Sequence, residues 1–169
     1  MQLRAEQLGA HLSAPQGGNL SACYLFSGDE PLLVSEALDA LRAAALRQGC
    51  DERESFTVDR GFDWAALGMG SLFSAGKVVV LRLPTAAPGD EGSRALRALA
   101  ARPTDGNVVV VVTPALTRKM AEAAWASALH KSGVWVEFRA PSPTELPRWI
   151  ARRLESARLH GDRRRRQGA

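Results

Sequence analysis

The sequence predicts a three-layer α/β fold built around a mainly parallel sheet. Short runs of apolar and β-branched residues alternate with segments whose apolar positions recur at helical spacing. Val108 to Val112 are five consecutive valines, a run without polar alternation that is typical of a strand covered on both faces. Because strands alternate with helices, we expect the strands to lie parallel and the helices to cover both faces of the sheet.

The first half of the chain contains three predicted strands and two predicted helices. Cys23 to Phe26 is an apolar strand, and Gly28 follows it as a turn residue. Pro31 suits the first turn of the next helix, where its missing N–H costs nothing, and that helix is expected to continue to Gly49. The next elements are a strand over residues 55–58, a helix over residues 63–69 and a strand over residues 77–83.

The second half continues the alternation and ends with a change of character. Its predicted elements are a helix over residues 93–101, the valine strand, a helix over residues 117–131 and a strand over residues 134–138. Pro141-Ser142-Pro143 then interrupts regular structure and predicts a domain boundary. We expect residues 1–140 to form one α/β domain. Residues 141–169 would be the first helix of an incomplete second domain, over residues 144–159, and an arginine-rich tail.

Charge and composition narrow the function classes. The net charge is +4, but residues 152–169 carry seven arginines against Glu155 and Asp162, which leaves −1 for the first 151 residues. The folded part is therefore not an obvious electrostatic partner for nucleic acid. Two cysteines are too few for a disulfide framework. No apolar run reaches the ~18 residues of a membrane span, so the sequence predicts a cytoplasmic protein without a membrane partner.

The turn at Gly28 resembles the start of a phosphate loop but lacks its chemistry. A phosphate loop needs a second glycine and then a lysine; these positions are held by Leu33 and Val34, and only Ser35 fits. Asp29 and Glu30 stand where a nucleotide's negative charge would arrive, although they can simply complement the positive end of the helix dipole. We therefore predict no catalytic residues, no metal and no cofactor.

An adjacent pair of large apolar residues, Leu72 and Phe73, lies in the glycine-bounded segment Gly68 to Gly76, just before a strand. Neighbouring positions on a helix point about 100° apart, so a core-facing stripe does not easily use both. On a turn, the pair can project outward into a partner's pocket, where each side chain contributes about 1.5–3 kcal/mol. Packing of both in the domain's own core remains the alternative, and the spacing does not decide between them.

Five segments, taken in order, resemble the delta subunit family of the bacterial DNA polymerase III clamp loader. Ser71-Leu72-Phe73 is similar to the family's clamp-binding motif. The others are Tyr24 to Leu33, Glu52 to Trp64, the stretch from Arg118 to Leu129 and Leu146 to Ile150. Any one of these likenesses is weak evidence, whereas the ordered set is specific.

The resemblance implies a role in DNA replication. The domain would be RecA-like and related to AAA+ modules, without a functional phosphate loop. It would bind the sliding clamp, the beta subunit, through Leu72 and Phe73, with Ser71 and Met69 setting the angle of this wedge. It would open the ring without ATPase activity, as part of the DNA polymerase III holoenzyme, and would contact DNA only indirectly. Other clamp-loader subunits would be bound through a collar domain that this chain does not include.

Two other functions stay open. A degenerate P-loop nucleotide hydrolase would be stabilised by a nucleotide. A nucleic-acid binder that used the arginine tail would lose binding, and its steep salt dependence, when residues 161–169 are deleted.

Overall fold

The computed structural model describes residues 1–13, 20–65, 76–103, 106–144, 146–147, 149–151 and 153–154. The chain divides into two compact units, Met1–Arg139 and Ala140–Ala169. The described elements of the first unit are β1 (Gln2–Arg4), α1 (Ala5–Leu12), β2 (Cys23–Gly28), α2 (Pro31–Leu46), β3 (Glu52–Thr57), β4 (Lys77–Arg82), α3 (Gly89–Ala101), β5 (Val108–Thr113), α4 (Arg118–Ala121), α5 (Ala124–Ser132) and β6 (Val134–Phe138).

The strands form one six-stranded sheet in the order β1-β6-β2-β5-β4-β3, and every pair is parallel. Strand β2 therefore lies inside the sheet between β5 and β6, whereas β3 is an edge strand. The valine run pairs with β2 on one side and with β4 on the other. This arrangement confirms the predicted α/β fold with a mainly parallel sheet.

Two apolar clusters cover the two faces of the sheet, which explains why its central strands lack polar alternation. Alternate strand residues such as Phe26 and Val80 pack against α1 and α2. The intervening residues, such as Leu25 and Leu81, pack against Leu96 of α3 and other side chains from α5. The first unit thus has three layers, and the two side-chain sets follow the period of two along each strand.

The structure corrects several predicted element boundaries. Strand β1 and helix α1 were not predicted, because three residues of strand give no usable periodicity; β1 pairs with β6. Strand β3 begins at Glu52 rather than at residue 55, since its exposed and charged positions obscure the pattern. Helix α3 begins at Gly89, not at residue 93.

The single helix predicted over residues 117–131 is wrong. It is two helices, α4 and α5, separated at Ala123, whose backbone is extended (φ −58°, ψ 146°). Trp125, Ala126 and Leu129 of α5 are buried, whereas α4 buries no residue. The segment contains alanines and no Gly or Pro, so the interruption follows from packing and not from a helix-breaking residue.

The described part of the second unit is a helix over residues 146–147, 149–151 and 153–154. The Leu146 N–H donates to the Ser142 carbonyl oxygen (2.9 Å), and the Arg153 guanidinium lies 4.6 Å from the centre of the Trp149 ring. Across both units, each helix in the described residues is too short or too polar to span a bilayer.

Candidate functional site

The predicted wedge lies in a stretch that the structure does not describe. Met69, Ser71, Leu72 and Phe73 all fall within residues 66–75, outside the described residues. The described residues on either side hold both ends of this stretch. Their contacts define where the described chain stops and where it resumes.

Trp64 fixes the entry to residues 66–75. It is buried in the cluster on the α3 face, and its ring meets that of Phe62 edge to face with centroids 5.0 Å apart. Phe62 in turn meets Phe56 of β3 at 6.2 Å. The indole also lies directly over Gly92 of α3, where a Cβ atom would stand 2.6 Å from Trp64 Cζ2. Gly92 therefore leaves the space on α3 that the Trp64 indole occupies.

Gly76 and Lys77 fix the return of the chain into β4. Gly76 adopts φ 88°, a conformation that favours glycine. Its N–H donates to the Gly106 carbonyl oxygen (3.2 Å), and its own carbonyl accepts from Glu52 N (3.3 Å). The Lys77 N–H donates to Oδ1 of the buried Asn107 (3.0 Å). The chain thus re-enters the sheet through backbone hydrogen bonds to both neighbouring segments.

The Lys77 side chain adds a charged contact at the same point. Its Nζ lies 2.7 Å from Glu54 Oε1 and 3.1 Å from Glu52 Oε2, both on β3. The hydrogen bonds to Glu54 and then Glu52 raise the pKa of Lys77, so the ammonium stays charged. Only 12% of the Lys77 side chain is exposed, but Glu54 is 28% and Glu52 62% exposed, so water partly screens this contact. The charge pattern was visible in the sequence, but the pairing needed the β3–β4 register.

A pocket of about 470 Å³ opens at the carboxyl ends of β2, β3, β4 and β5. Parallel sheets bind ligands at this end, where the direction of strand addition changes. The lining is mainly apolar and includes Val34, Leu83 and Pro114; Ser35 and Arg82 are among its polar members. Val34 holds the position of a phosphate-loop lysine, yet it lies on the buried side of α2, in the core cluster between that helix and the sheet.

The residues of the degenerate phosphate loop have other roles in the fold. A Cβ atom at Gly28 (φ 154°) would lie 2.1 Å from the Phe138 carbonyl oxygen, so this glycine permits β6 to approach β2 closely. Asp29 Oδ1 accepts a hydrogen bond from Ala115 N (3.1 Å) and so joins the loops after β2 and β5. The sequence indicated a turn glycine and acidic residues here, but neither the β6 contact nor the Ala115 hydrogen bond.

The strand order and the loop at Gly28 define a RecA-like α/β domain of the P-loop-related kind, with altered residues at the phosphate-loop positions. The chain belongs to the family of DNA polymerase III delta subunits, because the model of the family described as DNA polymerase III, delta subunit matches residues 24–139.

Individual relatives agree with this assignment. DNA polymerase III subunit delta of Escherichia coli K12 is 33% identical over 166 residues, covering 96% of this chain and 47% of that protein. The Haemophilus influenzae Rd subunit is 28% identical over 165 residues, with coverages of 93% and 46%. The chain thus spans about half the length of these curated relatives.

A solved structure supports the fold. The Bacillus subtilis DNA clamp loader delta protein superimposes with a TM-score of 0.62 at 16% identity, over 79% of this chain and 42% of that one. At this identity the likeness shows a shared fold.

Proposed function

We propose that this chain is a clamp-binding and clamp-opening domain of a DNA polymerase III delta subunit, acting in DNA replication in the cytoplasm. The family match over residues 24–139 carries the proposal, because it extends across residues 66–75, where Leu72 and Phe73 lie. In this proposal Leu72 and Phe73 enter a hydrophobic pocket of the sliding clamp, and Ser71 and Met69 set their angle.

The fixed ends of residues 66–75 support a wedge. A short segment that starts beside the buried Trp64 and ends at the hydrogen-bonded Gly76 has both of its attachment points determined by the fold. Preorganised attachment lowers the entropy lost when a loop binds a partner. Opening of the ring then requires only that the domain binds the open form of the clamp more tightly than the closed form.

We propose further that the domain does this without hydrolysing ATP. The lysine position of the phosphate loop is the buried Val34, and Asp29 places a carboxylate on the same loop. An unchanged melting temperature at millimolar ATP would agree with this; a nucleotide-induced rise would favour the degenerate hydrolase instead.

The test is the double variant Leu72→Ala/Phe73→Ala, measured by surface plasmon resonance against the cognate sliding clamp. Each lost apolar anchor corresponds to about 1.5–3 kcal/mol of binding free energy. The two losses together should therefore lower the affinity for the clamp by about a hundredfold or more. The matched control is Leu32→Ala/Leu46→Ala, which removes two apolar side chains that are 57% and 62% exposed elsewhere. The control should bind the clamp as the unmodified chain does.

Circular dichroism and the melting temperature separate a contact surface from a core. Both should be nearly unchanged in Leu72→Ala/Phe73→Ala. Loss of the folded state would place the pair in the domain's own core, and full clamp affinity in a folded variant would exclude the wedge.

A further inference from the structure

Three arginines converge on the side of the sheet that carries α2. Val78 and Val80 of β4 pack in the cluster on this side of the sheet. Arg82 is two positions after Val80 on the same strand, so its side chain projects from the same face. In the β3–β4 register Arg53 is opposite Val78 and Thr57 is opposite Arg82. Cross-strand partners share a face of the sheet, so the side chains of Arg53, Thr57 and Arg82 project from the α2 side.

This side of β3 is open to solvent. Arg53, Ser55 and Thr57 are exposed, whereas Glu54 and Phe56, on the opposite side, are half-buried. The alternation also separates the charges of β3: Glu52 and Glu54 pair with Lys77 on the α3 side. The α2 side of the edge strand therefore presents guanidinium and hydroxyl groups without a carboxylate from the same strand.

Arg42 of α2 is the third arginine. Its Nη1 donates to Asp39 Oδ1 (2.9 Å), a carboxylate whose side chain is 70% exposed. Its Nε is buried and has no hydrogen-bond partner within the part of the chain that the structure describes. Burial, followed by the charges of Arg53 and Arg82, lowers the pKa of Arg42. Arg42 is thus close enough to Arg53 and to Arg82 for each to repel it, and a bound anion would relieve that repulsion.

We propose that Arg42, Arg53 and Arg82, with the hydroxyl groups of Ser55 and Thr57, form a surface that binds the phosphate backbone of nucleic acid. We call these five residues the arginine face. The guanidinium group matches a phosphate with two parallel hydrogen bonds, and exposed hydroxyl groups add further donors.

The spacing favours a chain of phosphates over a single one. Arg53 and Thr57, the partner of Arg82, are four residues apart, which is about 13 Å along a strand. One phosphate ion does not span that distance, whereas the successive phosphates of a nucleic-acid strand do. Thr57 and Arg82 also line the pocket at the strand ends, so the arginine face continues into a concave surface. This contact lies outside the proposed clamp-binding segment and outside the arginine tail.

The test compares two double variants of the full chain. Arg53→Ala/Arg82→Ala removes two charges from the arginine face, and Arg94→Ala/Arg97→Ala removes two exposed charges from α3 in the layer on the other side of the sheet. Binding of fluorescein-labelled single-stranded and duplex DNA is measured by anisotropy over a range of salt concentrations. Arg53→Ala/Arg82→Ala should bind DNA at least about tenfold more weakly, and the slope of log affinity against log salt concentration should be reduced by about two. Arg94→Ala/Arg97→Ala should lose much less affinity and change this slope much less.

Two further measurements make the result decisive. Clamp affinity and melting temperature of Arg53→Ala/Arg82→Ala should equal those of the unmodified chain, so that failure of this surface is distinguishable from failure of the wedge. Equal losses in the two variants would overturn the proposal, because they would indicate a general effect of net charge. Loss of DNA binding only on deletion of residues 161–169 would also overturn it, as would complete competition by inorganic phosphate at the concentration of DNA phosphate.

Discussion

The indole Nε1 of Trp135 donates a 2.7 Å hydrogen bond to the hydroxyl of Ser27, and both residues are buried. Trp135 lies on β6 opposite Leu25 of β2, so the hydrogen bond reaches diagonally to the residue just before Gly28. A buried indole N–H needs an acceptor, and here the acceptor is at the carboxyl end of β2. The pair therefore joins the centre of the sheet to the loop that borders the pocket.

A double-mutant cycle on this pair should show strong coupling. Ser27→Ala leaves the buried indole N–H without this acceptor, and the expected cost is about 1–3 kcal/mol of unfolding free energy. Trp135→Phe/Ser27→Ala removes both polar partners, so it should cost less than the two single changes added together. Urea unfolding gives the unfolding free energies of the unmodified protein, the two single variants and the double variant. Strict additivity of the two single changes would contradict the assigned role of the hydrogen bond.

Gly28→Ala should destabilise the protein. The added Cβ would lie 2.1 Å from the Phe138 carbonyl oxygen, at a φ of 154° that side-chain-bearing residues rarely adopt. We expect a loss of about 2 kcal/mol or more in unfolding free energy. Gly9→Ala is the matched control: this α1 position has open space, and alanine there should stabilise by about 0.5–1 kcal/mol. Equal effects at the two glycines would contradict the close approach of β2 and β6.

Gly28 also shows which structural features a local sequence pattern predicts and which it does not. Its position after an apolar strand and before Pro31 predicted a turn and a helix, and α2 does begin at Pro31. The reason for the glycine is nevertheless a contact with residue 138, more than a hundred positions away. Local patterns report periodicity and helix entry, whereas close backbone approaches depend on which strands become neighbours.

The same distinction separates the predictable core from the less predictable surface. The valine run predicted a strand covered on both faces, because burial on both faces requires consecutive apolar residues. The edge strand β3 is exposed on one side, so its charged residues Glu52 to Glu54 concealed its start. The arginine face needed the register of β3 and β4, which the sequence did not supply. The glycine-bounded segment singled out Leu72 and Phe73, but their role as a clamp wedge came from the family resemblance and remains a prediction.

The two cysteines should react at different rates. Cys23 is 1% exposed, and burial raises its pKa to about 11; Cys50 is partly exposed and donates to the Gly106 carbonyl oxygen (3.1 Å). A pKa near 11 instead of the ordinary value of about 9 leaves about a hundredfold less thiolate at neutral pH for Cys23. Burial and the Asp51 charge raise the pKa of Cys50 as well, so the greater exposure of Cys50 also decides the order. Iodoacetamide labelling followed by peptide mass spectrometry should therefore modify Cys50 first and Cys23 only after unfolding. Early modification of Cys23 in the folded protein would contradict its placement in the core.

Stability should fall as the pH drops below about 6.5, in part because of His130. Partial burial and the positive N-terminal amine lower the pKa of His130, and its ring packs against Trp135 at 5.3 Å. The unfolded chain then takes up the proton first, so stability is lost between the unfolded pKa near 6.5 and the lower folded pKa. His130→Gln should show a shallower decrease in melting temperature from about pH 7 to about pH 5. Identical slopes in the two proteins would contradict this assignment.

Photo-crosslinking from position 73 tests the central claim most directly. In the variant Phe73→p-benzoylphenylalanine, irradiation with the cognate sliding clamp should give a covalent adduct that mass spectrometry maps to a hydrophobic pocket of the clamp. The same replacement at the exposed Leu32 should give little or no adduct. Adducts from position 73 confined to residues of this chain's own core, with the clamp unmodified, would contradict the account.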